Sequence, residues 1–143
     1  MRTSNNRKGF TLVELLFSVI IMSLVVTGIL AIFIQTTEMS KRINYDYNAT
    51  ILAKSRLEWI KGYIKSHGFD SLTQANIGEN EVRVDKDGVP EEGGLFARTT
   101  TVEGSYAGDT TLTKVTVDLY YYYKGTQVAS PITMQTVFVD IAE

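Results

Sequence analysis

Glu14 is the residue whose type and position ask for chemistry. It is the one acid in an apolar run from Phe10 to Ile34. An ionisable side chain in such a segment costs a few kcal/mol near a bilayer centre, which makes it a functional candidate by default. Arg2, Arg7 and Lys8 precede the run, and no acid accompanies them. That asymmetry holds the N-terminus in the cytoplasm. Glu14 is close to the start of the run, where its carboxylate can reach towards the headgroups. Two accounts stand side by side. The acid is tolerated at a membrane edge, near a helix N-terminus whose dipole favours it. Or it is kept to meet a cation, in a pair that is strongly attractive in low dielectric and costly to leave half-made.

Little else in the chain suggests reactive chemistry. His67 is the only histidine and cysteine is absent, so disulfides, thiol catalysis and haem attachment are excluded. His67 has no acid at ligand spacing and reads as a helix C-terminal residue. No phosphate loop, nucleophile elbow or zinc motif appears. The expectation is no catalytic residue, no cofactor and no metal. Asp85-Lys86-Asp87-Gly88 has a trace of a calcium loop, but its glycine comes too early for EF-hand spacing, so a turn is expected. Tyr120-Tyr121-Tyr122-Tyr123 reads first as a strand. Tyr120 and Tyr122, on the face turned from the core, are a candidate contact for another subunit or a ligand. Trp59 is a candidate anchor for the sheet or a partner.

The elements that position these residues follow from pattern. The run 10–34 is long and apolar enough to span a bilayer as a helix. Ser18, Ser23, Thr27 and Gly28 would let neighbouring helices approach closely. Residues 35–67 continue the helix in amphipathic form, with Ile43, Tyr47, Leu57, Ile60 and Ile64 as the apolar stripe and His67-Gly68 as the stop. Residues 68–94 read as loop with one short strand, Glu81 to Val84. Residues 95–143 read as sheet. Leu95 to Val102 is one strand, and Thr113 to Tyr123 is the clearest, with Val115, Val117, Leu119, Tyr121 and Tyr123 on one face. Lys124-Gly125-Thr126 turns the chain. Ile132 to Ile141 shifts its apolar phase at Val137, which predicts a bulge or a strand buried on both faces. One long helix followed by several strands argues for an α+β fold with an antiparallel sheet.

The stretch Gly9-Phe10-Thr11-Leu12-Val13-Glu14, with basic Arg7 and Lys8 before it and apolar residues after, resembles the processing site of the type IV pilin and type II secretion pseudopilin superfamily. The resemblance implies a leader, 1–9, cut after Gly9 by a prepilin peptidase that also methylates Phe10. It implies a filament role for Glu14, meeting the Phe10 amine of a neighbouring subunit. Glycine suits such a cut because it brings little bulk to an extended backbone. The family layout is a transmembrane helix, 10–34, and an extracytoplasmic globular domain, 35–143, together forming the pilin fold. Shorter likenesses at Leu52 to Glu58 and Lys114 to Val117 point to the minor subunits.

The expected partners are prepilin peptidase, other pilin or pseudopilin subunits, an inner-membrane platform with its ATPase, and membrane lipid. Losing Arg2, Arg7 and Lys8 takes the formal charge from −2 to −5, which does not suggest nucleic-acid binding as the main task. The expected location is the inner membrane, N-terminus inside, and then a periplasmic or cell-surface filament. The alternatives are a major pilin or competence pseudopilin, a ligand-binding adhesin tip, and a single-pass anchor that never polymerises.

Overall fold

The computed structural model describes residues 10–140. The chain divides into two compact units, Met1–Lys41 and Arg42–Glu143. Helix α1, Leu12–His67, carries through both.

In the first unit every described residue from Phe10 to Thr37 is exposed. The most apolar stretch of α1 reaches a mean hydropathy of 2.8, and none of it is buried. A helix of that composition with nothing covering it is long and apolar enough to cross a membrane. Its hydroxyls are turned back on its own backbone. Ser18 Oγ donates to the Glu14 carbonyl, Ser23 Oγ to the Ile20 carbonyl and Thr27 Oγ1 to the Ser23 carbonyl, each at 2.8 Å. Polar groups satisfied within one helix are what a hydrocarbon environment demands.

The second unit packs the remainder of α1 on a sheet. The strands are β1 Glu79–Val84, β2 Phe96–Gly104, β3 Leu112–Tyr123, β4 Thr126–Gln127 and β5 Ile132–Val139, all pairing antiparallel. β1 pairs β2 and β2 pairs β3. The far side of β3 is shared, with β5 along Leu112 to Leu119 and β4 at Tyr122 and Tyr123. A long N-terminal helix on a five-stranded antiparallel sheet is the α+β layout of a pilin fold.

The core lies between helix and sheet. Ala49, Leu52, Ala53, Leu57 and Ile60 of α1 meet Val84, Phe96, Val115, Val117, Leu119 and Tyr121. β3 alternates as its sequence predicts, Val115, Val117, Leu119 and Tyr121 facing inward. The helix stripe is partly different. Ile43 and Tyr47 are 56% and 65% exposed, whereas Tyr45, Ala49 and Ala53 take the inner face. When the helical period is carried through, Ile43 falls about 100° and Tyr47 about 140° round from Ile60. Ala49 and Ala53 are both fully buried in the core cluster.

Three further differences concern the strands. Residues 68–94 hold a 3₁₀ turn at Phe69–Ser71 and a short helix, α2, at Gln74–Ile77, which buries Ile77. β1 begins two residues earlier than its apolar pattern suggests, because a bulge sits between Glu79 and Val82. β5 has no bulge. Its register against β3 is continuous, and Val137 and Val139 face outward at 44% and 54% exposed. The apolar phase shift in the sequence therefore marks two exposed valines. The β3–β4 hairpin turns through Lys124 and Gly125, both at positive φ (53° and 79°), the primed geometry that matches strand twist.

Candidate functional site

The stretch around Glu14 forms the first turn of α1. Thr11 stands immediately before Leu12, the first helical residue, and Glu14 is third in the helix. The Thr11 backbone amide donates to Glu14 Oε2 at 3.0 Å and the Thr11 hydroxyl donates to the same oxygen at 2.9 Å. In return the Glu14 amide donates to Thr11 Oγ1 at 3.3 Å. This is a capping box, in which two otherwise unpaired helix-end amides are satisfied reciprocally. Its signature, Thr-x-x-Glu before an apolar run, is present at Thr11 to Glu14. Thr11 is therefore a site residue that attention to Glu14 alone passes over.

The cap fixes the carboxylate. Oε2 takes both Thr11 donors, while Oε1 takes no hydrogen bond among the described residues. One oxygen thus holds the acid at the helix start. Phe10, one residue before the cap, is 83% exposed. Arg7, Lys8 and Gly9 lie outside the described residues.

The remaining sequence candidates are spread over the second unit. Tyr120 and Tyr122 share the sheet face turned away from α1, both half-buried. The Arg83 guanidinium caps the Tyr122 ring at 3.5 Å, so that face is already occupied. Tyr120 lines a cleft with Asn80, Glu81, Thr99, Gln127, Val128 and Ala129. Trp59 is half-exposed and stacks on Arg56 at 4.4 Å and on Tyr63 at 5.4 Å. His67 continues that stack on Tyr63 at 4.2 Å, and its Nδ1 lies 3.2 Å from the Tyr63 carbonyl. In the 85–88 turn, Asp85 Oδ1 accepts the amides of Asp87 at 2.9 Å and Val89 at 2.8 Å, so this carboxylate oxygen closes the loop. Among the described residues no group of three or more acids or histidines is placed to hold a metal.

Beneath the helix is a charge cluster that no sequence pattern announces. Arg98 grips Glu79 with two bonds, Nε to Oε2 at 2.7 Å and Nη2 to Oε1 at 2.9 Å. Arg56 Nη2 lies 3.3 Å from the same carboxylate and donates to the Ile77 carbonyl at 2.9 Å. Thr100 Oγ1 adds a further bond to Glu79 Oε2 at 3.0 Å. The three side chains are 8–16% exposed. Burial, opposed by the Glu79 charge and assisted by Arg98, pulls the Arg56 guanidinium below its ordinary pKa. The cluster ties α1, β1 and β2 together and is a structural device. At the other end of the helical face, Tyr121 bonds to Asp46, and burial first and that acid second push its phenol up.

No curated protein and no solved structure matches the chain. Residues 4–30 match the family model of the prokaryotic N-terminal methylation motif, so the chain carries the prepilin-type motif of type IV pilins and pseudopilins.

Proposed function

We propose that the chain is a non-enzymatic filament subunit, a minor pilin or minor pseudopilin of a type IV pilus or type II secretion machine. It is made as a precursor in the inner membrane, N-terminus inside, with Arg7 and Lys8 in the leader. Prepilin peptidase cuts between Gly9 and Phe10 and methylates the new Phe10 amine. An ATPase and an inner-membrane platform then move the subunit from lipid into a filament of like helices. Glu14 gives that step its register, meeting the Phe10 amine of a neighbour through Oε1.

One observation carries this reading. The Thr11–Glu14 cap fixes an acid at the first turn of an uncovered apolar helix, and that turn begins just after the glycine of the matched motif. A plain anchor needs the apolar helix but not the acid, whose cost in hydrocarbon is repaid when it finds a cation. The short likenesses at Leu52 to Glu58 and Lys114 to Val117 support the minor assignment.

Intact mass and N-terminal fragment analysis of the protein from its native host test the reading. The expected product starts at N-methylated Phe10. A chain starting at Met1, in cells that cut their other prepilins, sinks it. The share of this subunit in purified filaments separates minor from major.

A further inference from the structure

The outer face of the sheet carries a cleft of about 350 Å³, whose lining includes Thr99, Tyr120, Asn80, Glu81 and Gln127. That volume lies within the range of about 300–1,000 Å³ usual for small-ligand sites. Two independent features single it out. The first is Tyr120. Tyr121 stacks on Tyr45 at 5.3 Å, Tyr122 is capped by Arg83, and Tyr123 meets Tyr45 and Arg42. Among the described residues, the Tyr120 ring has neither an aromatic nor a cationic partner. The second is Glu81, at the β1 bulge with φ 51°, a region where a glutamate is uncommon. Bulges re-aim side chains, and backbone strain gathers at working sites. Here the Glu81 amide is held by Thr99 Oγ1 at 3.2 Å, and Glu81 Oε1 accepts a long 3.5 Å contact from Gln127 Nε2.

The lining defines the ligand class. Asn80, Glu81 and Gln127 present planar two-atom groups that pair with neighbouring hydroxyls as donors, acceptors or both. Tyr120 offers an apolar ring face with a polar tip. Among the described residues no cation lines the cleft and one carboxylate does, which disfavours phosphates and acids. A neutral sugar ring has both matching surfaces: a face of C–H bonds for the phenol ring and a rim of hydroxyls for the amides. We propose that this cleft is a binding site for a neutral saccharide, with Tyr120 as the stacking platform and Asn80, Glu81 and Gln127 as the hydroxyl partners. None of these lining residues belongs to the N-terminal turn.

The test uses the full chain, purified in a detergent without a sugar headgroup. Saturation-transfer NMR is run against glucose, galactose, N-acetylglucosamine, lactose and chitobiose, with spermidine as the cationic control. At least one sugar is expected to bind saturably. Tyr120→Ala should weaken it by about tenfold or more, as loss of a central aromatic contact does. Tyr122→Ala should leave it unchanged, since that ring is capped by Arg83. If Tyr120→Ala loses its circular dichroism spectrum, Glu81→Gln and Gln127→Ala decide, each expected to weaken binding severalfold. No saturable sugar in the panel, binding that survives these substitutions, or binding of spermidine alone overturns the proposal.

Discussion

Thr11 and Glu14 satisfy each other: the threonine amide and hydroxyl both donate to Glu14 Oε2, and the glutamate amide donates back to Thr11 Oγ1. The pair makes the acid part of the helix start instead of a loose charge in an apolar segment. It also distinguishes the two oxygens, since Oε2 serves the cap and Oε1 takes no hydrogen bond among the described residues.

That distinction predicts different outcomes for two substitutions. Glu14→Ala removes the carboxylate's half of the cap and the proposed cation partner together. Filament recovered from the native host should fall by about tenfold or more, the consequence of losing ~1.4 kcal/mol per contact. Cleavage after Gly9 should persist, because Glu14 lies outside the cut bond. Thr11→Val keeps the acid and removes only the hydroxyl, a loss of about 1 kcal/mol at a helix cap. It should reduce filaments less than Glu14→Ala does, and Thr11→Ser should restore them. Intact mass reads processing and the pelleted fraction reads assembly. Equal filament yield in Glu14→Ala and wild type would remove the ion pair from the account.

The Arg56–Glu79–Arg98 cluster predicts an asymmetry in stability. Glu79→Ala leaves two largely buried guanidiniums facing each other, and breaking such a buried pair costs about 3–5 kcal/mol. Arg56→Ala still leaves Glu79 with the two-bond grip of Arg98, and should cost clearly less. Thermal unfolding of the full chain in detergent measures both. For a unit of this size about 1 kcal/mol moves the midpoint by roughly 4–8 °C. If Arg56→Ala proves as damaging as Glu79→Ala, the three charges do not divide in this way.

How much of this is legible in the sequence depends on whether a residue's role is periodic. β3 declares itself because Val115, Val117, Leu119 and Tyr121 are apolar at alternate positions and buried on one face. α1 declares itself by length, by the absence of proline, and by His67-Gly68 at its end. Thr11 is legible too, through the capping-box spacing. The inner stripe of α1 is harder, because Ala49 and Ala53 are weakly apolar while the exposed Ile43 and Tyr47 are strongly so. Val137 and Val139 mislead for a similar reason: they are apolar without being buried. The Glu79–Arg98 pair joins residues nineteen apart in the chain, and only the antiparallel pairing of β1 with β2 brings them together. The cleft at Tyr120 needs the bulge at Glu81 and the hairpin at Gly125, neither of which apolar periodicity reports.

Ala53 gives a direct test of how closely helix and sheet approach. It has no exposed surface and lies in the core cluster. Ala53→Leu forces added methylenes into a filled space, which typically costs about 1–3 kcal/mol. Ala→Leu at an exposed helix site is nearly neutral by propensity. Lowered thermal stability for Ala53→Leu, beside an unchanged midpoint for Ala31→Leu in the uncovered segment, is the expected result. Equal midpoints would mean that the two alanines do not set the spacing.

Tyr121 supplies a pH dependence whose sign is fixed by its surroundings. Its pKa is raised, first by burial and then by the bond to Asp46 and that acid's charge. The folded state therefore prefers the neutral phenol, and this contribution is fully present below the unfolded value near 10. Above it the unfolded chain loses its proton first, and the contribution is lost as pH rises through the folded value. The stability difference between wild type and Tyr121→Phe isolates this group from the other tyrosines. It should stay level from pH 7 to about 10 and then shift against the wild type. Asp46→Asn removes the second cause while leaving the first, so in that background the shift should begin at the same pH but level off sooner and be smaller. A difference between wild type and Tyr121→Phe that stays level well above pH 10 would mean that the phenol titrates alike in both states.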